Sequence, residues 1–369
     1  MKNIFGKKGH GPDYFLIAVV FLLTIFGLAM LSSASSDLGK SKFNDSYYFI
    51  RHQIYFGLSL GIAGFLIAMK LNYQAYKKIA FVLLIIGIIF LALVFTKFGL
   101  NVRNTSRWAR LGPLSFQPAE LMKIIYIVYL AAWLSNSRMK REKNITEGLL
   151  PFGLFSGFIA ALLLLQPATS TVVILMGAGL VVYFLSGASW KYPLIIMGAG
   201  ALILALVIYA TPYRRARVLG FLNKNSDSQG INYHLDQALI AIGAGRVWGV
   251  GYGQSTSKLN YLPTPMDDSI FAVTGEELGF VGSAGLIALF AMLTFRLFWL
   301  AKETRDKFGR LLLIGFGTII AFQSIVNISA ISGVLPLTGV PLPFVSYGGT
   351  ALAIFLTMSG IAVNISKYT

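Results

Sequence analysis

The sequence predicts an all-α, polytopic membrane protein that forms a single domain over residues 1–369. Hydrophobic residues make up 56% of the chain and charged residues only 12%, whereas about a quarter of an ordinary soluble domain is charged. Apolar runs of about 18–25 residues recur along the chain, and this length is typical of membrane-spanning helices. No long polar stretch separates these runs, so we expect one transmembrane domain.

About ten spans can be placed in order, each bounded by charged, glycine-rich or proline-rich segments. The first run is longer than the apolar core of a cleavable signal peptide, about 7–15 residues, so we expect it to be retained. The segment 211–268, between the seventh and eighth spans, is predicted to be a long extracytoplasmic loop. The spans are predicted near residues 14–33, 50–69, 78–96, 119–135, 149–166, 169–188, 191–210, 269–295, 311–334 and 346–365.

Short basic loops predict the orientation, because Lys and Arg accumulate on the cytoplasmic side of membrane proteins. With both termini in the cytoplasm, the basic loops around 70–78, 138–143 and 302–310 all fall on that side. Two outward segments are nevertheless basic, and we interpret them as an anion-binding surface; incidental solvated charge is the alternative. Their arginines are Arg103, Arg107 and Arg110 in the first segment and Arg214, Arg215 and Arg217 in the second.

The net charge and the cysteine count exclude several classes of function. A net charge of +17 in a membrane protein favours contact with anionic membrane lipids or an anionic lipid substrate, and no nucleic-acid motif is present. The chain has no cysteine, so disulfides and thiolate metal sites are excluded.

Four of the 14 acidic residues lie between 267 and 277, where the eighth span begins. Either Asp268 or Ser269 can cap that helix. Asp268 is also placed to act as a general base that faces the basic loops. Glu276 and Glu277 lie about 12 Å further along the helix, a depth at which ionised side chains are costly and usually functional. Lys123 and the outward arginines are the expected partners of these carboxylates, and a structural ion pair that holds two helices together is the alternative.

Two further segments carry polar chemistry. Glu120 and Lys123 lie on one face of the fourth span, either as an internal salt bridge or with Lys123 reaching a phosphate. The stretch HLDQALIAIGAGRVWGVGYG predicts a short interfacial helix followed by a glycine turn. Its GVGYG segment has the spacing of neither a P-loop nor a dinucleotide fingerprint, and a flexible turn is the alternative to a phosphate cradle.

Five segments together resemble the SEDS family (shape, elongation, division and sporulation), and most closely its division branch. The resemblance extends over nearly the whole chain, and its specificity comes from the combination of segments. The segments are RNTSRWARLGPLSFQPAELMK, PYRRARVLGFL, YHLDQALIAIGAGRVWGVGYGQSTSKLNYLP, DDSIFAVTGEELGFVG and LPLTGVPLPFVSYGGTA.

The resemblance implies a peptidoglycan glycosyltransferase that polymerises lipid II, an undecaprenyl-pyrophosphate-linked disaccharide peptide, outside the bacterial cytoplasmic membrane at the division septum. The family's essential aspartate corresponds to Asp268, although Asp267 and Ser269 replace the threonine and phenylalanine that usually flank it. Implied partners are a class B penicillin-binding protein and other division proteins. No cofactor is firmly implied, and a divalent cation, Mg²⁺ or Mn²⁺, is a candidate at the pyrophosphate. The expected substrate-binding residues are Arg107, Glu120, Lys123, Arg214, Arg215, Arg217, Gln237, Lys258, Glu276, Glu277 and Ser346.

Two more departures from the family pattern are expected to matter. Ala168 stands where the family usually has an aspartate after Gln-Pro, and Arg246 stands where glycine is usual. Two other functions stay open at this point: a flippase for lipid-linked precursors, and a scaffold of the division machinery without catalytic activity.

Overall fold

The computed structural model describes residues 10–102, 105–112, 114–136, 144–222, 232–259 and 261–369. Over these residues the chain is a bundle of helices, which confirms the all-α prediction. One small sheet is added to the bundle. The helices are α1 Tyr14–Phe43, α2 Tyr48–His52, α3 Ser59–Lys70, α4 Gln74–Leu93, α5 Pro118–Leu134, α6 Leu150–Leu165, α7 Thr169–Leu185, α8 Lys191–Ala210, α9 Pro212–Leu222, α10 Tyr233–Ala244, α11 Ile270–Glu303, α12 Lys307–Ile331 and α13 Gly349–Ser366, with π-helical turns at Gln53–Leu58 and Ile145–Leu149.

Eight helical segments of the described chain are long and apolar enough to cross a membrane. They coincide with eight of the predicted spans, and the π-helical turns join α2 to α3 and lead into α6. The fourth and sixth predicted spans correspond to α5 and α7, which have 17 residues each. Because these two helices are short, the count of ten spans stays a prediction.

The first outward segment folds as a three-stranded antiparallel sheet, which the sequence did not predict. Its strands are β1 Gly99–Val102, β2 Thr105–Leu111 and β3 Leu114–Phe116, in the order β1-β2-β3. Ala109 pairs with Gly99 on one side and with Phe116 on the other. Arg103, one of the predicted outward arginines, lies outside the described residues.

The core lies where α5, α12 and α13 are most deeply buried, and α12 packs against α11, α7 and α5. In contrast, α8 has no buried residue. An apolar helix that is exposed all round suits a lipid environment, in which no hydrophobic force drives the helix onto its neighbours.

The two ends of the described chain meet at one end of the bundle. The His10 amide donates to the Lys367 carbonyl at 3.0 Å, and Arg296 Nη2 lies 2.5 Å from the Asp13 carboxylate. Arg296 lies on α11, 17 residues beyond the non-helical residue Gly279. This ion pair joins the start of α1 to the later part of α11, and the cytoplasmic location of the termini stays a prediction.

Candidate functional site

Asp268 lies in the turn that leads into α11, half-buried at the mouth of the bundle. One carboxylate oxygen accepts the hydroxyl hydrogen of Thr264. A methyl group added at Gly339 would lie 3.8 Å from the other oxygen, so the segment 332–348 borders the carboxylate. Ser269 is the residue before the helix, but no side chain caps α11. The capping alternative is therefore wrong, because the Asp268 carboxylate accepts its hydrogen bond from Thr264 and not from the first amides of α11.

Two amides of α12 hold the segment 332–348 in place. Asn327 Nδ2 donates to the carbonyls of Asp268 and Val340, at 2.8 Å each. One turn earlier, Gln323 Nε2 donates to the carbonyl of Pro341 at 2.8 Å. The buried face of α12 thus fixes both the backbone of Asp268 and the segment beside its carboxylate. Sequence analysis missed both amides, although their spacing of four residues on an apolar span was a readable signal.

His234, on α10, was also missed, and its ring contacts the residue that follows Asp268. Its Nε2 is 2.6 Å from the Ser269 hydroxyl, which also lies 2.9 Å from the Pro263 carbonyl. Burial lowers the pKa of His234 below its ordinary value; the Asp268 carboxylate opposes this shift and Arg217 adds to it. A carboxylate and a guanidinium therefore act on the same imidazole. Gln237 is half-buried on α10 and follows His234 by three residues, so it lies on the same helix face.

The predicted outward arginines separate into two environments. Arg217 is on α9, and its Nη1 lies 3.4 Å from the carbonyl of Leu337 in the segment that borders Asp268. Arg214 donates to the Leu164 carbonyl and to the Thr211 hydroxyl, each at 3.2 Å, while Arg215 is exposed. Arg217 is thus the α9 arginine that contacts the segment bordering the Asp268 carboxylate.

Arg107, on β2, is directed to the turn between α6 and α7. Its Nε donates to the Gln166 carbonyl at 3.1 Å and its Nη2 to the Pro167 carbonyl. Ala168, the position where the family usually has an aspartate, is the next residue and is buried. Arg107 thus joins the sheet to this turn through backbone oxygens.

Glu276 and Glu277 form a buried network, and their partners differ from those that the sequence suggested. Glu276 accepts hydrogen bonds from the Ser255 hydroxyl at 2.5 Å and from the amides of Thr256 and Ser257 at 3.0 and 3.3 Å. Glu277 Oε1 lies 2.8 Å from Lys258 Nζ. The expected partners, Lys123 and the outward arginines, are wrong: Glu277 pairs with Lys258, as in the structural alternative.

The glycine loop closes a break in α11 next to these glutamates. Gly279 has a φ of 64° inside α11, so the helix ladder is interrupted there. The amides of Val250 and Gly251 donate to the carbonyls of Glu276 and Glu277 at 2.9 and 3.1 Å. The loop therefore satisfies backbone groups that would otherwise be unpaired at membrane depth. Arg246, in the same loop, has a φ of 47°, a conformation that favours the glycine usual at this position.

Glu120 and Lys123 pair with each other in the core. Lys123 Nζ lies 2.6 Å from both Glu120 Oε1 and Gln323 Oε1, and Lys123 is only 1% exposed. Ser346 is buried as well, and its hydroxyl accepts the Leu342 amide at 2.8 Å. These side chains thus support the segment 332–348 from within the protein.

The described residues do not contain three or more His, Cys, Asp or Glu side chains grouped as a metal site. Mg²⁺ is commonly held by one or two carboxylates together with substrate phosphates. A divalent cation at this site would therefore take most of its ligands from a bound diphosphate and from water.

Comparisons with known proteins agree with this architecture. A sequence profile of the FtsW/RodA/SpoVE family, described as cell cycle proteins, matches residues 13–369. The probable peptidoglycan glycosyltransferase FtsW of Trichlorobacter lovleyi is 36% identical over 358 residues, which cover 96% of this chain and 93% of that protein. Stage V sporulation protein E of Bacillus subtilis is 34% identical over 368 residues, covering 98% and 99% respectively.

A solved structure reported under "Structural coordination of polymerization and crosslinking by a peptidoglycan synthase complex" has the same fold. It superposes with a TM-score of 0.80 at 28% identity, over 97% of this chain and 99% of that chain. The profile match, the full-length relatives and the shared helical architecture establish the family. The chain belongs to the FtsW/RodA/SpoVE family of cell cycle proteins, the SEDS family that its motifs resemble.

Proposed function

We propose that the chain is a peptidoglycan glycosyltransferase that polymerises lipid II on the outer face of the cytoplasmic membrane during cell division. Relatives named as probable peptidoglycan glycosyltransferases support the activity. The observation that carries the assignment is local: the half-buried Asp268 carboxylate borders Gly339, and Arg217 Nη1 lies 3.4 Å from the carbonyl of Leu337 in the same segment. A base beside a cation is what transfer of a sugar from a diphosphate requires.

The proposed reaction is a single displacement with inversion. Asp268 takes the proton of the acceptor's 4-hydroxyl as the oxygen attacks the anomeric carbon of the donor sugar. The new glycosidic bond forms while the bond from that carbon to the diphosphate breaks, and the electron pair leaves with undecaprenyl pyrophosphate. Thr264 orients the carboxylate through its hydrogen bond, and the second oxygen of Asp268 faces Gly339, where only hydrogen occupies the side-chain position.

Neutralisation of the departing diphosphate is the second requirement, because the charge on its oxygens grows in the transition state. Arg217 is the leading candidate, with Arg214 and Arg215 on the same helix. Bidentate contacts from guanidinium groups suit phosphate oxygens. A divalent cation, Mg²⁺ or Mn²⁺, would share this charge. The buried pairs Glu120–Lys123 and Glu277–Lys258 would not contact the substrate; they would fix the segments that border it.

The proposal extends to partners and location. The polyprenyl tails of donor and acceptor would enter from the bilayer along the apolar helices. A class B penicillin-binding protein would crosslink the new strands, since the structural neighbour belongs to a complex of polymerization and crosslinking. Both termini would lie in the cytoplasm, and the protein would work at the division septum.

One assay separates this enzyme from a flippase and from a scaffold without catalytic activity. The purified chain, in complex with its transpeptidase in lipid vesicles, is incubated with labelled lipid II, and glycan strands are resolved on a gel. We expect strands from the wild type and at least about a hundredfold fewer from Asp268→Asn, since a general base contributes about 10²–10⁴.

The adjacent Asp267→Asn variant is the matched control and should polymerise within about threefold of the wild type. Strand growth by Asp268→Asn at the wild-type rate would reject Asp268 as the base. Transport of lipid II across the vesicle membrane without strand growth would favour the flippase. Partner binding without either activity would favour the scaffold.

A further inference from the structure

A histidine that the reaction does not yet use lies against the Asp268 turn. His234 is on α10, which packs on α11 and α12. Its Nε2 lies 2.6 Å from the hydroxyl of Ser269, the residue that follows Asp268. Ser269 is completely buried, and its hydroxyl is also bonded to the Pro263 carbonyl at 2.9 Å. The imidazole is thus connected to both ends of the turn Pro263–Ser269.

The hydrogen bonds assign the tautomer of the imidazole. A hydroxyl carries a single hydrogen, and a carbonyl oxygen can only accept. The Ser269 hydroxyl therefore donates to Pro263, and the second bond of Ser269 needs the hydrogen of His234 Nε2. In the neutral imidazole Nδ1 then carries no hydrogen, and it is the nitrogen that takes up a proton.

Among the residues that the structure describes, two charged side chains shift the pKa of the imidazole. Asp268 acts on it from the start of α11, and Arg217 acts from α9. Of the other acidic residues near the start of α11, Asp267 lies in the same turn as Asp268, and Glu276 and Glu277 are bonded to the segment 255–258. Beyond Arg310, α12 contains no charged residue. Among these described groups, the Asp268 carboxylate would attract a proton gained at Nδ1 and the Arg217 guanidinium would repel it.

We propose that His234 is a positioning residue for the transfer of sugars from lipid diphosphates, an inference that rests on the proposed function. In its neutral form it donates from Nε2 to Ser269 and so holds the turn that presents the Asp268 carboxylate to the acceptor hydroxyl. In its protonated form it adds a cation beside Asp268, which stabilises the carboxylate and weakens it as a base. The neutral imidazole is the active form, and acid slows polymerisation through this residue.

The sign of the pH effect follows from the groups around His234. Burial lowers its pKa below the ordinary value of 6.5, with Asp268 opposing and Arg217 reinforcing the shift. The active neutral form therefore predominates at neutral pH. The loss of rate through His234 should occur below pH 6.5, as the imidazole gains its proton.

Two substitutions separate the effect of the His234–Ser269 hydrogen bond from the effect of protonating the imidazole. In His234→Gln the side-chain amide can still donate to Ser269 but cannot gain a proton near neutral pH. In His234→Ala the donor is lost. Strand formation from lipid II is measured for both variants and the wild type, each with the transpeptidase partner, between about pH 5 and pH 8. Thermal unfolding and partner binding are recorded for each variant.

We expect kcat of His234→Ala to fall about tenfold or more at every pH, with a smaller change in KM, because the base is misplaced. We expect His234→Gln to keep kcat within about threefold of the wild type near pH 8. Below pH 6.5 its rate should fall less than that of the wild type, because the loss of rate caused by protonation of His234 is absent; this fall in rate at low pH is the acid limb. Wild-type activity of His234→Ala would overturn the inference. So would an unchanged acid limb in His234→Gln, which decides the matter even if the alanine variant does not fold.

The failure of this inference is distinguishable from the failure of the proposed function. An inactive wild type, or a fully active Asp268→Asn variant, would reject the proposed function itself. An active wild type and an inactive Asp268→Asn, combined with a histidine variant that behaves as the wild type, would remove only the role of His234.

Discussion

The side-chain amide of Asn327 donates to the backbone carbonyl of Asp268 at 2.8 Å. The same amide nitrogen reaches the Val340 carbonyl at 2.8 Å. One buried side chain near the end of α12 therefore joins the candidate base to the segment that faces it. The geometry of the site depends on this amide as much as on the acid.

Replacement of Asn327 by alanine should impair both stability and activity. Asn327 is completely buried, so its loss leaves two carbonyls without a donor, at a cost of about 1–3 kcal/mol for each buried group. The rate of strand formation should fall at least about tenfold, because small displacements of a reacting group are costly. Thermal unfolding in detergent and the lipid II assay measure the two effects.

Ser324→Ala is the matched control for Asn327→Ala. Ser324 is equally buried on α12, but its hydroxyl bonds only to the Ile320 carbonyl of its own helix. Its loss should leave the rate near that of the wild type. Equal rates for Asn327→Ala and Ser324→Ala would contradict the role assigned to Asn327.

Removal of Arg217 should weaken the use of the diphosphate donor. A hydrogen bond to a charged group is worth about 1.5–3 kcal/mol, so Arg217→Gln should lower kcat/KM by about 10–150-fold. The exposed Arg215 lies on the same short helix, and Arg215→Gln should have a much smaller effect. Steady-state kinetics at several lipid II concentrations test this, and equal effects of the two changes would argue for a diffuse basic surface.

The Glu277–Lys258 pair should stabilise the break in α11, and a double-mutant cycle tests this. Lys258→Met leaves the Glu277 carboxylate buried without its cation, which typically costs about 3–5 kcal/mol. Adding Glu277→Gln removes the uncompensated charge and should recover part of that loss. Unfolding temperatures of the four proteins measure the coupling. Additive effects of the two substitutions would show that the pair is not a unit.

Gly249 should tolerate no side chain, because it packs against the interrupted turn of α11. A Cβ atom there would lie 2.1 Å from the Glu277 carbonyl oxygen, at a φ of 81°. Gly253 has the same φ and open space around it, so Gly253→Ala should cost only the backbone strain of about 1–2 kcal/mol. Gly249→Ala should unfold at a clearly lower temperature than Gly253→Ala. Similar unfolding temperatures would mean that the loop is not docked in this way.

The sequence by itself determined the class of the protein, the order of its helices and Asp268 as the candidate base. Apolar runs of sufficient length leave a chain in lipid few choices other than helices, since every backbone group must find a partner within the segment. The acidic cluster at the start of α11 was also visible in the sequence, because charged residues are rare in membrane-spanning segments. Glu120–Lys123 was also readable, since residues three apart share a helix face.

Only the tertiary structure decided which of these polar groups meet. Glu277 is joined to Lys258, and His234 to Ser269, by contacts between segments that are distant in the chain or separated by a loop. The sheet from 99 to 116 and the docking of the glycine loop in the break of α11 were equally invisible. Such contacts depend on how helices pack, and packing is set by the shapes of many side chains together, whereas the apolar pattern records only which segments are buried in lipid or protein.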